Sequence, residues 1–131
     1  MAVDSITTNA DLITNRIMSD AEIDRLQTSR MASTLWSVEH NEAWTMIKRH
    51  LANWPTPVTE DDLDDTSELD RASCYYVAYL AYKNGPADED KQEAKDFLAR
   101  FRREMEEVEL TVNGYSITRG AYAYRLRARR A

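Results

Sequence analysis

The sequence predicts a mainly α fold: a small helical bundle with a C-terminal β-hairpin and an extended basic tail. The chain has only three Gly and three Pro in 131 residues, too few for an all-β fold with many turns. Long stretches place an apolar residue at every third or fourth position, which is helix spacing, and the period changes to two after residue 107. The predicted segments are an N-terminal arm (1–18), a helical bundle (19–107), a hairpin (108–119) and a tail (120–131).

The N-terminal arm is polar with scattered apolar positions, and a short helix is expected near residues 9–17. The first bundle helix begins at a predicted capping box. In it the Ser19 hydroxyl accepts a free backbone N–H, and the Glu22 side chain reaches back to the cap.

A long helical stretch follows the capping box. Apolar residues recur at helical spacing as far as Trp54, with a slip in phase near residues 27–31. This pattern predicts either one kinked helix over 20–53 or two helices joined near 39–41. Pro55 ends the stretch, because proline lacks a backbone N–H and forces the preceding residue to be extended.

An acidic loop, TEDDLDDTSELDR, leads into the next helix. Asp65 or Thr66 is expected to cap a helix over 67–83. That helix is apolar nearly all round, which predicts a central position in the bundle. The only cysteine, Cys74, lies in this apolar run and is expected to be a buried, reduced thiol.

The acidic loop also contains a fragment of a calcium-binding pattern. Asp62, Asp64 and Thr66 resemble the first ligands of an EF-hand loop. However, Ser67 stands where that loop needs Gly, and Ser73 stands where it needs a bidentate Glu. The loop is therefore predicted to be solvated and to cap a helix, without binding calcium.

An amphipathic helix is predicted over residues 87–107, with charged residues on its outer faces. Its apolar stripe is formed by Ala94, Phe97, Leu98, Phe101, Met105 and Val108. Part of this stripe is expected to pack on the central helix and on the long helix before it. The expected contacts join Phe97, Leu98, Phe101 and Met105 to Tyr76, Leu80 and Trp44 or Ile47.

The hairpin is predicted from alternation around Asn113-Gly114, the strongest short hairpin signal, because both turn positions need positive φ. A two-residue turn pairs Val112 with Tyr115 and Leu110 with Ile117. Both pairs then lie on one face, so the register is self-consistent.

Catalytic and metal-binding motifs are not found in the sequence, which has no Gly-rich phosphate loop, CxxC or HExxH. His40 and His50 would lie roughly 15 Å apart on one helix, too far to share a metal, and both are expected at the surface or at an interface. The sequence therefore predicts no enzymatic activity, no cofactor and no metal. No signal peptide is expected, and no apolar run approaches the ~18 residues that cross a membrane.

Charge is divided unevenly along the chain. Residues 113–131 hold five of the 17 Lys and Arg and none of the 23 Asp and Glu, so residues 1–112 carry a net charge of −11. Such asymmetry is typical of a tail that acts separately from its body. A body with this charge repels nucleic acid.

The tail continues the period-two pattern, with aromatic and apolar residues on one parity and Arg on the other. The candidate partner-binding residues are Arg119, Tyr122, Tyr124, Arg125, Leu126, Arg127, Arg129 and Arg130. Three interpretations are open: a disordered basic end, an arm that binds nucleic acid, or a strand added to another protein's sheet. The third is favoured, because a strand with unpaired backbone groups is a template for pairing.

The segment NWPTPVTEDDLDDTSELDRASCYYVAYLAYKN resembles the middle of tailed-bacteriophage head–tail adaptors, also called connector or head-completion proteins. The shared features are a helix that ends in a Pro-containing stretch, an acidic loop, the helix start DTSELDRA, and an apolar, Tyr-rich helix. A charged amphipathic helix, a short β segment and a basic tail follow, so the resemblance covers about residues 40–131.

The resemblance implies a structural protein of the virion neck, present in the host cytoplasm during assembly. Proteins of this family are small helical bundles that form rings, usually of twelve copies, beneath the portal protein. The implied partners are the portal, a stopper or tail-completion protein, and further copies of the chain; genomic DNA passes through without specific binding, and no membrane is involved. The implied role of the tail is to dock on the portal. The alternative is a small helical regulatory module whose basic tail binds nucleic acid.

Overall fold

The fold is mainly helical and ends in a small β-hairpin, which confirms the predicted class. The computed structural model describes residues 3–27 and 35–120. The elements of these residues are α1 (Asn9–Thr14), α2 (Asp20–Gln27), α3 (Ser37–Ala52), α4 (Asp70–Lys83), α5 (Asp88–Glu107), β1 (Leu110–Val112) and β2 (Tyr115–Ile117). Short 3₁₀ turns at Glu60–Asp62 and Thr66–Leu69 connect α3 to α4.

The central helix is α4, as its sequence predicts. It packs most extensively against α5, next against α3, and also contacts α1 and α2. Ala72, Ala78 and Ala81 are fully buried on it, and their small side chains let the neighbouring helices approach closely. Cys74 is also fully buried and unpaired, and burial raises the pKa of its thiol to about 12.

The core consists of two clusters along α4 and α5. One contains Phe97 and Tyr82, whose rings stack with centroids 5.5 Å apart. The other contains Phe101 with Trp44 and Ile47. The predicted packing is therefore confirmed for Phe101, whose ring lies 5.0 Å from that of Tyr76. Leu98 is only half-buried at the edge of the second cluster.

Among its described residues the long helical stretch contains two helices, α2 and α3, but the predicted junction near 39–41 is wrong, because these residues lie inside α3. The helix begins after Trp36, which is fully buried and adopts a left-handed conformation with φ 57°. The Trp36 carbonyl accepts the first helical hydrogen bond from His40 N–H at 2.9 Å. The polar residues around His40 suggested a break in the helix. Instead, the His40 side chain is buried and lies within hydrogen-bonding distance of other polar side chains.

Those groups belong to the N-terminal segment. His40 Nε2 is 2.9 Å from Asn9 Oδ1, and His40 Nδ1 is 2.7 Å from the Thr7 hydroxyl, which is also 2.7 Å from the Ser73 hydroxyl. The expected surface or interface position of His40 is therefore wrong, because only 2 % of this residue is exposed. Leu12 of α1 is fully buried in the first cluster. The segment predicted as an arm is thus packed against α3 and α4.

A polar cluster joins α2 to the first turn of α5. Arg25 contacts the Asp90 carboxylate at 2.8 Å and the Glu22 carboxylate at 2.9 Å. The Tyr82 hydroxyl donates to Glu22 at 2.8 Å. Ser19 accepts from the Glu22 N–H, as predicted for the cap, but the Glu22 side chain is engaged by Arg25 and Tyr82.

Candidate docking site at the C-terminal hairpin

The candidate site begins where the hairpin ends. Arg119 lies two residues after β2 and is exposed to solvent. The other seven predicted site residues lie outside the described part of the chain: Tyr122, Tyr124, Arg125, Leu126, Arg127, Arg129 and Arg130. The described structure therefore defines the point from which the tail departs.

The hairpin has the predicted register. Val112 pairs with Tyr115 and Leu110 with Ile117 in antiparallel strands. Asn113 and Gly114 have φ of 52° and 82°, which confirms the predicted turn with two positive φ values. Leu110 and Ile117 are fully buried in the second core cluster, so the hairpin is fixed to the bundle through its apolar face.

The acidic loop holds the other side of the hairpin. The Asp64 carboxylate accepts hydrogen bonds from the N–H groups of Asn113 at 3.0 Å and Gly114 at 2.6 Å. Asp64 N–H donates to the Thr111 carbonyl at 2.9 Å, next to an antiparallel bridge between Leu63 and Val112. The loop thus lies along β1 like a short third strand.

Glu68 adds a second contact of the same kind. Its carboxylate accepts from the Thr111 N–H at 2.8 Å and from the Thr111 hydroxyl at 2.9 Å. Asp65 caps the following turn by accepting from Ser67 N–H at 2.9 Å, as predicted. No local sequence signal points to these roles of Asp64 and Glu68, because their partners lie more than forty positions away.

The acidic loop therefore has a structural role in holding the hairpin. Within residues 3–27 and 35–120, no group of three or more His, Cys, Asp or Glu side chains is arranged to hold a metal ion. Asp64 instead directs its carboxylate at backbone donors of the turn, a charge-assisted contact that is stronger than a neutral one.

A cationic cavity of about 240 Å³ lies beside the root of the tail. α3 contributes His50, α5 contributes Arg102, and the end of the hairpin contributes Arg119. Its other lining residues are Asn53, Trp54, Met105 and Glu106. Three distant parts of the sequence meet here because the hairpin folds back over the end of the α3–α5 pair.

The electrostatics of the cavity favour an anionic partner. Burial lowers the pKa of His50, and the charges of Arg102 and Arg119 lower that pKa further. In the part of the chain that the structure describes, neither guanidinium forms an ion pair. Planar guanidinium groups bind carboxylates and phosphates through paired N–H donors. The cavity is thus suited to receive an oxyanion, with Glu106 as the one acidic group at its edge.

Comparisons with known proteins identify no relative. A scan against protein-family models, a search of curated proteins and a search of solved structures each found no match. None of the helices among the described residues is long and apolar enough to cross a membrane.

Proposed function

We propose that this protein is a structural component of the neck of a tailed bacteriophage: a ring-forming head–tail adaptor that docks on the portal through its C-terminal tail. In this role it extends the DNA channel and presents a surface to the stopper or tail-completion protein. It acts in the virion neck after assembly in the host cytoplasm, as a homo-oligomeric ring of about twelve copies by resemblance to that family. Catalysis, cofactors and metals have no part in the proposal.

The observation that carries the proposal is the separation of the acidic body from a basic tail with a defined root. The body carries −11 over residues 1–112 and the remainder +5. The tail leaves from Arg119, on a hairpin that is held on both of its sides by the bundle and by Asp64 and Glu68. Because the hairpin fixes the point from which the tail departs, each copy in a ring would direct its tail to the equivalent position on the partner.

The alternation of the tail supports docking on protein. Tyr122 and Tyr124 bring large apolar rings with hydroxyl groups that need polar partners. The Arg residues of the opposite parity suit carboxylates, which they bind in a bidentate manner. Ordering the tail on its partner costs conformational entropy, and several copies in one ring offset this cost through avidity. The acidic body suits a channel wall that does not hold DNA.

The test is deletion of residues 120–131. We expect the truncated protein to keep the circular dichroism spectrum and melting temperature of the full chain, because α1 to α5 and both strands of the hairpin lie before residue 120, and to lose cosedimentation with portal-bearing heads. Replacing Arg125, Arg127 and Arg129 by Lys should weaken attachment less than the deletion does. Arg103→Gln is a matched control, because Arg103 is an exposed α5 residue outside the cavity.

Two results would contradict the proposal. Unchanged occupancy of the truncated protein on heads would show that the tail is not the anchor. The second contradicting result is that the full chain does not bind heads but binds duplex DNA with an affinity that falls steeply with salt concentration. That result would favour the nucleic-acid-binding module, since release of counterions from phosphate produces such a dependence.

A further inference from the structure

A groove between α4 and α5 contains three of the four lysines of the chain. Its volume is about 360 Å³. The lining residues are Tyr79, Lys83, Lys91, Ala94, Lys95 and Leu98. The remaining lysine, Lys48, lies on α3. In a chain with 23 acidic residues, this concentration of ammonium groups makes the groove a distinct surface.

The three lysines of the groove are exposed to solvent. Among the described residues, Lys83, Lys91 and Lys95 form no ion pair, although Lys83 lies 5.7 Å from the centroid of the Tyr79 ring. By contrast, Lys48 pairs with Glu60 at 3.8 Å. The groove therefore has positive charge available for a partner.

The floor of the groove is apolar. Tyr79 and Leu98 are half-buried, and Ala94 is 4 % exposed. The Tyr79 ring packs on Tyr76 with centroids 5.3 Å apart, which holds it in place. An apolar floor inside a ring of ammonium groups matches a ligand that has both an apolar side chain and flanking carboxylates.

The basic groove continues along α5. Lys91, Lys95, Leu98 and Arg102 are spaced by four, three and four residues, so they lie on one face of the helix. This face is roughly 16 Å long at 1.5 Å per residue. It leads from the groove to the cavity that contains Arg102 and Arg119.

We propose that the α4–α5 groove docks an acidic, amphipathic segment of another protein. An apolar side chain of that segment packs on Tyr79 and Leu98, while its carboxylates, three or four positions apart in a helix, meet Lys91 and Lys95. The apolar floor favours a protein segment over the phosphate backbone of nucleic acid, which has no apolar group to place there. The net charge of −11 over residues 1–112 repels a long polyanion, whereas a short segment meets only the groove. The inference does not depend on the role in the phage neck.

The test uses the full chain and a synthetic helical peptide of about 14 residues built from Glu and Leu. Binding is followed by NMR through the methyl signals of Ala94 and Leu98. We expect these signals to shift on titration, and K91Q/K95Q to weaken binding by about tenfold, because it removes two exposed ion pairs that each contribute modestly. Both lysines are exposed, so this variant should keep the fold, as circular dichroism can verify.

The control is Lys48→Gln, which removes one positive charge from α3 where K91Q/K95Q removes two from α5, and should leave the peptide affinity unchanged. The basic tail is present in every variant, so any contribution it makes to peptide affinity is the same in all of them. The inference is overturned if the Ala94 and Leu98 signals do not move, or if a peptide with Ser in place of every Leu binds equally well. It is also overturned if a 12-nucleotide single-stranded DNA binds the groove more tightly than the peptide. Concentration-dependent shifts of these signals without any peptide would instead identify a second copy of the chain as the occupant.

Discussion

The N-terminal segment (residues 3–18) and the C-terminal hairpin segment (108–119) are attached to the helical bundle by different kinds of polar contact. The first is held by a fully buried Leu12 and by neutral hydrogen bonds that join Thr7, His40 and Ser73. The hairpin also buries apolar residues, but its polar contacts are exposed carboxylates that accept from backbone N–H groups. The buried hydrogen bonds of the N-terminal segment need a neutral His40 ring. The contacts of the hairpin need the correct backbone conformation of its turn.

The proton arrangement of the buried network follows from its acceptors. Asn9 Oδ1 can only accept, so His40 Nε2 donates to it. The Nδ1 atom of a neutral imidazole is then an acceptor and accepts a hydrogen bond from the Thr7 hydroxyl, while the Ser73 hydroxyl donates to the Thr7 oxygen. Burial lowers the pKa of His40 to about 4. A second proton on the ring would place a donor against the Thr7 hydroxyl proton.

The largest expected effect tests whether the N-terminal segment belongs to the core. Leu12→Ala should lower the free energy of unfolding by about 2–5 kcal/mol, because it leaves a cavity among residues that cannot close fully around it. The neighbouring Ile13→Ala is the control. Ile13 is 39 % exposed, so its loss should stay within about 0.5 kcal/mol. Urea unfolding of both variants measures the difference, and equal small losses would show that the segment is only loosely attached.

The second prediction concerns pH. Because the pKa of His40 is about 4 in the fold against 6.5 as its ordinary value, the unfolded chain binds more protons between these values. The contribution of His40 to the free energy of unfolding is present above pH 6.5. It is lost as pH falls toward 4, by about 1–3 kcal/mol. Asp70 opposes this trend, since burial raises its pKa to about 6 from 3.8, so the folded state binds the extra proton there.

Two variants separate these opposing contributions. Asp70→Asn should lose more stability than the unmodified protein between pH 7 and pH 4, because the compensating proton uptake is removed. His40→Gln should lose less, since Gln does not titrate. Urea unfolding at pH 7, 5 and 4 provides the measurement. Parallel pH profiles for all three proteins would mean that neither group is linked to folding.

The smallest expected effect tests the hairpin turn. Gly114→Val should cost about 1–2 kcal/mol, because Gly114 has φ of 82° and a left-handed conformation is unfavourable for a β-branched residue. A Cβ atom at Gly114 would meet no atom within 4 Å, so the cost is conformational and involves no clash. Amide hydrogen exchange at Thr111 should become faster. Asn113→Gly, which relieves the positive φ at the preceding position, should leave exchange unchanged; faster exchange in both variants would contradict the explanation by positive φ.

The contrast between the two segments also shows which patterns can be read from a sequence. The hairpin was predicted in detail, because alternation and the Asn113-Gly114 turn are local features that set its register. The buried state of His40 was missed, because its partners Thr7 and Asn9 lie more than thirty positions away. A polar residue within a helical pattern gives no sign of whether another segment covers it.

The candidate site shows the same division between features set by neighbouring residues and features set by contacts between distant residues. The sequence by itself identified α5, the central α4, the hairpin and the basic alternation after Arg119, since each depends on spacing among neighbours. Only the tertiary structure placed Asp64 against the turn and Glu68 against β1, brought His50 and Arg102 to Arg119, and set three lysines around one apolar groove. Such placements depend on how helices pack across the core, and packing joins residues whose separation along the chain carries no periodic signal.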